Sequence, residues 1–382
     1  MTPNFKDIIN FKNLKILVLV VCVILGSSIQ HITLPILVTY YESLYFILIV
    51  SSIEGCFNYF IFMINLHVIN KKKFKFPQNM GTIILCGIIN ALMSLCFVFS
   101  ANPMRTPPII QSIFLGMAII PTVVFRNILL NKKTTYNIKF IIPSLILLFV
   151  SVIVATIPLF LNYKNINAYS LGWILLYLVA IILLSLDNTM QEKYIVETDD
   201  NSIINKVTFA FFTSLFQFLT LLSCFWIEYI FGYSNNPFES FINSTQSLIN
   251  NISNFLILEA FIYDCLFLYV ASIFLNSYST NYNMMLTNLT NQSVALFFSI
   301  FPYLNNGIKA PLYILMPSLA LNIISVTLWI YGEDTNHSDN NLKINEINTI
   351  VNNNEANIIA NNNLDNNNNE ENVIANNNLY FI

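Results

Sequence analysis

The chain has 382 residues, 55% of them hydrophobic and only 10% charged, against roughly 45–50% and about 25% in soluble domains. So few charges cannot coat a water-soluble fold of this size, which excludes a soluble enzyme and indicates a polytopic membrane protein. The formal net charge of −3 comes without any basic stripe interleaved with aromatics, so nothing points to nucleic-acid binding.

A membrane helix needs about 20 apolar residues, and ten such runs follow one another: 14–36, 43–68, 82–100, 108–130, 138–161, 171–194, 203–231, 254–276, 284–304 and 310–331. The first, with Lys12 and Lys15 ahead of "ILVLVVCVIL", begins like a secretory leader. Its apolar stretch resumes as "ITLPILV", too long for a cleaved segment. The third is short and the ninth is the most polar. The runs are continuous rather than alternating, which excludes a barrel. The expected fold is an all-α membrane protein of ten transmembrane helices. The short connection 162–170 divides these into halves, 14–161 and 171–331. Five spans per half is odd, so the second half enters the membrane inverted, the arrangement of many secondary transporters.

Of the 17 Lys and Arg, all but Arg105, Lys164 and Lys309 fall on the side of the N-terminal segment 1–13. The positive-inside rule then puts both termini in the cytoplasm. The long connection 232–253 lies on the opposite face. There Phe238, Phe241, Ile242, Leu248, Ile249 and Ile252 have the spacing of a short interfacial helix. Asn243 and Asn251 open N-x-S/T glycosylation sequons on that same face. From 332 to 382 the chain becomes an Asn-rich, low-complexity tract, expected as a disordered cytoplasmic tail.

Polar side chains in lipid must face protein or a water-filled cavity. The candidates for binding a solute or proton are Ser27 and His31 in the first run, Glu54 in the second and Asn90 in the third. Asp187 and Asn188 follow in the sixth, Gln217 in the seventh, Asp264 in the eighth and Asn291 in the ninth. The stretch "FLILEAFIYDCLFLYV" carries both Glu259 and Asp264, five residues or about 140° apart on a helix, so one narrow cavity would not take both. Asp264 is the deeper and the preferred one. With Glu54 it would give the cavity negative potential and exchange protons. Gln191, Glu192 and Lys193 read as snorkelling and capping groups. The six cysteines sit in apolar runs without C-x-x-C spacing, so neither a disulfide framework nor a metal site is expected. No phosphate loop or H-E-x-x-H occurs, so no cofactor and no enzymatic activity are expected.

Three stretches carry a resemblance. "RTPPIIQSIFLGMAIIPTVVF" places Ile110-Gln111-Ser112 about ten residues before Ile120-Pro121. "LSLDNTMQEKYI" closes the sixth run, and "NSYSTNYNMML" joins the eighth to the ninth. Together they resemble the chloroquine-resistance-transporter-like branch of the drug/metabolite transporter superfamily, over residues 14–331. The resemblance implies a carrier in the membrane of an acidic digestive or endolysosomal vacuole. It would export amino acids, short peptides or cationic solutes to the cytosol, coupled to protons, and so influence vacuolar osmotic balance. It also implies that Gln111 lines the central cavity. The partners expected are a small solute, protons and the lipid bilayer, with monomer and homodimer both open. Two alternatives stand beside it: a nucleotide-sugar or sugar-phosphate exchanger of the same superfamily, and a non-transporting receptor or scaffold.

Overall fold

The computed structural model describes residues 11–71, 76–130, 138–162, 168–198, 200, 202–277, 279–301, 304, 311–329 and 331–332. The segment 1–10 and most of the Asn-rich tract, 333–382, lie outside the described residues. The chain forms two compact units, Met1–Thr134 with Ile142–Leu328, and Thr135–Ile141 with Trp329–Ile382. In the smaller one, the rings of Phe140 and Tyr331 meet edge to face at 5.0 Å.

The described residues are helical and contain no strand. In chain order the helices are α1 (Phe11–Leu37), α2 (Leu44–Ile69), α3 (Met80–Ser100), α4 (Pro108–Leu115), α5 (Ile119–Leu129), α6 (Ile138–Asn162) and α7 (Ala168–Thr198). After these come α8 (Ile203–Leu222), α9 (Ile227–Ile230), α10 (Pro237–Asn250), α11 (Ile252–Asn276), α12 (Thr280–Ile300) and α13 (Leu312–Trp329). Among the described residues nine segments are long and apolar enough to cross a membrane, with Pro108–Leu129 counted as one. The protein is therefore a multi-pass membrane protein.

Three boundaries differ from the sequence expectation. The fourth run is interrupted by a 3-10 turn at Gly116–Ala118. Pro121 lacks the N–H that would bond to the Met117 carbonyl, so the α ladder loosens there. The seventh run ends at Leu222 instead of continuing to 231. No helix breaker marks that point; the chain turns because Glu228 is drawn into the protein. The ninth run becomes α12, which starts at Thr280 and is not among the nine apolar segments. Its apolarity is diluted by Asn281, Asn283, Asn288 and Asn291, all of them buried.

Within the larger unit α3 packs along α7 and α8, α1 along α11, and α2 along α8, while α12 packs on α1, α4 and α5. Small residues set the closest approaches. A Cβ on Gly87 of α3 would lie 2.5 Å from Phe216 Cβ and 2.9 Å from the Thr213 carbonyl oxygen of α8. Between α6 and α13 serines exchange bonds reciprocally. Ser144 Oγ donates to the Ser325 carbonyl at 2.7 Å and Ser325 Oγ to that of Ser144 at 2.8 Å. Two turns away, Ser151 and Ser318 repeat the exchange at 2.8 and 2.9 Å.

The connection from α8 to α11 is ordered by two polar anchors. Glu228, fully buried, accepts from Ser43 Oγ at 2.9 Å and from the Tyr45 backbone N–H at 2.8 Å. Its carboxyl thereby caps the N-terminus of α2. Burial nevertheless pushes its pKa above the ordinary carboxylate value. The Arg105 guanidinium lies 3.7 Å from the ring centre of Trp173 and 4.8 Å from that of Tyr233. It also donates to the Phe99 carbonyl at 2.8 Å. The helix expected within 232–253 is α10. Phe241 and Leu248 of α10 pack on the core, while Phe238, Ile242 and Ile249 are exposed on its other face.

Candidate functional site

A cavity of about 230 Å³ opens among α1, α2, α3, α7, α8, α11 and α12. Of the residues singled out from sequence, Ser27, His31, Asn90, Asp187, Asn188 and Gln217 line it. They converge because α1, α3, α7 and α8 each turn one polar stripe inward while their apolar faces point away. Gln217 Nε2 donates to Ser94 Oγ at 3.2 Å, joining α8 to α3 across the wall. Much of the remaining surface is aromatic. Tyr59 and Tyr269 stand with ring centres 6.0 Å apart, and Phe97 meets Tyr177 edge to face at 5.2 Å.

Four residues singled out from sequence do not line the cavity. Glu54 instead lies close enough to Glu259 of α11 for the two carboxyl groups to interact electrostatically. Asp264 packs against α1, with one carboxylate oxygen 3.5 Å from where a Cβ on Gly26 would stand. Gln111 donates to the carbonyls of Ala101 at 2.8 Å and Thr106 at 2.6 Å, so it braces the α3–α4 connection. Asn291 is fully buried on α12, and neither of its amide atoms has a partner. Both sequon residues are exposed. Asn243 donates to Glu42 at 2.7 Å from within α10, while Asn251 caps α11 by accepting from the Ser253 N–H at 3.0 Å.

Asp187 is the one acid among the described lining residues, which include no Lys or Arg. Its Oδ2 accepts from Gln191 Nε2 at 2.7 Å, while Oδ1 is buried without a partner. Ser27 Oγ and Ser51 Oγ, also lining, are buried without partners too. An unsatisfied buried polar group costs about 1–3 kcal/mol. With the Tyr269 hydroxyl, also lining and buried without a partner, four such groups around one cavity leave a surface that a polar occupant would complete.

Below Asp187 the lining runs into a polar cluster that sequence reading treated as capping groups. Gln191 and Glu192 are buried, not snorkelling. Lys193 stays at the surface, pairing with Glu197 at 3.6 Å. Glu192 takes a two-point salt bridge from Arg126 of α5, Nε to Oε2 at 2.9 Å and Nη2 to Oε1 at 2.8 Å. Its Oε2 also accepts the Thr280 backbone N–H at 3.2 Å, capping α12. Asn276, at the end of α11, donates to both Asn188 Oδ1 at 2.7 Å and Gln191 Oε1 at 2.9 Å. Asn283 donates to Asn276 Oδ1 at 2.8 Å. From α8, Lys206 reaches Ser277 Oγ at 2.9 Å. The junction between α11 and α12 is thus held against α7 and α8. Only the Asn-rich character of "NSYSTNYN" hinted at it in the sequence.

The six cysteines are free thiols. Among the described residues no three potential metal ligands come together. Compared with known proteins, the chain matches no family model and no curated relative.

Proposed function

We propose that the protein is a secondary-active solute carrier, of the kind its resemblance to chloroquine-resistance-transporter-like proteins suggests, and that α12 supplies a tenth span. At 21 residues, α12 is long enough to cross. Its asparagines Asn281, Asn283, Asn288 and Asn291 are buried against protein rather than lipid, so its modest apolarity is tolerable. The helix pairing supports an inverted repeat of halves 14–161 and 171–331. The first span packs on the eighth as the third does on the sixth, and the fourth on the sixth as the ninth does on the first. The second pairs with the seventh and the fifth with the tenth, which are their own images under that exchange. The excess of basic residues supports a cytoplasmic face at the Arg126 end.

One observation carries the functional reading: a lone carboxylate, Asp187, presents an unpartnered oxygen to a cavity without Lys or Arg. Such a site attracts a proton or a cationic solute. It would repel the phosphates of a nucleotide sugar, which weighs against the exchanger alternative. In this reading the solute carries no uncompensated negative charge, and rocking of the two halves moves it across. We place this work in an acidic vacuolar or endolysosomal membrane, where a proton gradient would drive it.

Uptake into proteoliposomes tests the proposal, using amino acids, short peptides, organic amines and nucleotide sugars, each with and without an inward proton gradient. The expected result is gradient-driven accumulation of a neutral or cationic solute. Asp187→Asn should abolish that accumulation while leaving a folded protein. Uptake confined to nucleotide sugars, or accumulation undiminished in Asp187→Asn, would overturn the reading.

A further inference from the structure

We infer that Gln191 is a positioning residue that couples the state of Asp187 to the hold of α7 on the α11–α12 junction, making that junction the cavity's gate at the Arg126 end. This rests on the carrier reading above.

Gln191 is the side chain that touches both ends of the connection. Its Nε2 donates to Asp187 Oδ2 at 2.7 Å, and its Oε1 accepts from Asn276 Nδ2 at 2.9 Å. Gln191 stands almost directly beneath Asp187 on α7, and Glu192 beneath Asn188, because residues four apart on a helix differ by only about 40° in direction; the four together cover a broad sector of about 140°. Asp187, Asn188 and Gln191 line the cavity. The same face supplies the acceptors that hold the junction: Asn188 Oδ1, Gln191 Oε1 and Glu192 Oε2. The donors all come from the junction itself, namely Asn276 and Thr280, with Asn283 reaching Asn188 Oδ1 at 3.3 Å. One helix face therefore both receives the solute and clasps the junction.

The coupling follows from the strength of one bond. A hydrogen bond to an ionised carboxylate is roughly twice as strong as a neutral one. While Asp187 is charged, that bond fixes the Gln191 amide with its oxygen toward Asn276. When Asp187 takes a proton or a cation, the bond weakens and the amide is free to turn. Asn276 then loses one of its two acceptors, and the clasp keeps only Asn188 and the Glu192 cap. The other titratable groups facing Asp187 are Cys86 of α3 and Tyr269 of α11. His31 of α1 lines the same cavity, and on the junction side stand Glu192 with its partner Arg126 and Lys206 at Ser277. Of these groups Asp187 is the one bonded to Gln191, so its state is the one the Gln191 amide reads.

Hydrogen exchange of the full-length protein in nanodiscs, followed over residues 274–284, tests this with no solute and no gradient present. Asp187→Asn should speed exchange of the junction amides about 10-fold. Gln191→Met should speed it by a similar factor. Adding Asp187→Asn to Gln191→Met should change it no further. Fully additive effects, or a junction indifferent to Asp187→Asn, would overturn the coupling. If Gln191→Met does not fold, Gln191→Asn replaces it, since the shorter amide cannot span both partners. Junction coupling without any uptake would sink the carrier reading alone, whereas uptake without coupling would sink only the role of Gln191.

Discussion

Removing one side of the buried Arg126–Glu192 pair should destabilise the protein far more than removing both. The two side chains are only 8% and 6% exposed, so neither charge has water to fall back on. Arg126→Met strands the carboxylate, and breaking a buried pair this way costs about 3–5 kcal/mol. Glu192→Gln strands the guanidinium at a similar cost, although the Gln oxygen can still accept the Thr280 N–H. In the double variant neither charge of the pair remains, and neutral replacement of a buried pair is commonly near neutral. What stays lost is the charge part of the α12 cap, about 1 kcal/mol. The two single losses therefore sum to about 6–10 kcal/mol, while the double should lose a small fraction of that. Thermal unfolding in nanodiscs, read by tryptophan fluorescence, gives the order directly. Both single variants should melt well below the parent, and the double should recover more than half of either loss. A double variant that melts as low as the two single shifts added together would refute the reasoning, because the pair would then act as two independent contacts.

Gly87→Ala should cost about 1–3 kcal/mol, because its Cβ would fall 2.5 Å from Phe216 Cβ and 3.1 Å from the Gln217 backbone nitrogen. Melting in lipid measures it, and an unshifted midpoint would mean that α3 and α8 have room to part. Glu228→Gln keeps an oxygen for Ser43 and Tyr45 but removes the charge. In the parent, the pKa of the folded state is raised, so protonation favours the fold, and stability gained at acid pH fades as pH rises through that value. The variant should lack this acid-side gain and hold its midpoint steady across the same window. A midpoint that follows pH as steeply as the parent's would show that another group is responsible.

The helices were legible because lipid imposes one demand, about 20 apolar residues, and α2, α3 and α11 answer it within two or three residues of the expected bounds. α12 was marked as the least apolar run, and its departure has the same physics: a helix wrapped by α1, α4 and α5 need not look like lipid. The turn after Leu222 was hidden because its cause, the burial of Glu228, lies with Ser43 and Tyr45 nearly two hundred positions earlier. The acids show the limit most clearly. Asp187 and Asp264 each interrupt an apolar run and both were candidates, Asp264 being preferred only over Glu259. The angle at which a helix is turned decides which acid reaches the cavity, and neighbouring helices set that angle. Gln191 and Glu192 looked like end groups for a related reason. Their partners, Asn276, Thr280 and Arg126, stand more than sixty residues away in the chain.

The polarity of α12 bears on how the protein is made. A segment carrying Asn281, Asn283, Asn288 and Asn291 gains little from partitioning into lipid by itself. It leaves the ribosome after α1, α4, α5 and α7, the helices that satisfy or enclose its amides. The partner of Asn288 comes later still, since Asn322 of α13 exchanges amide bonds with it at 2.7 and 3.2 Å. If α12 crosses the membrane as proposed, it must be held beside the finished helices until α13 arrives. Synthesis from N- to C-terminus would then be a requirement of assembly, and a circular permutant that begins at α12 would ask the membrane to accept this helix before any of its partners exist.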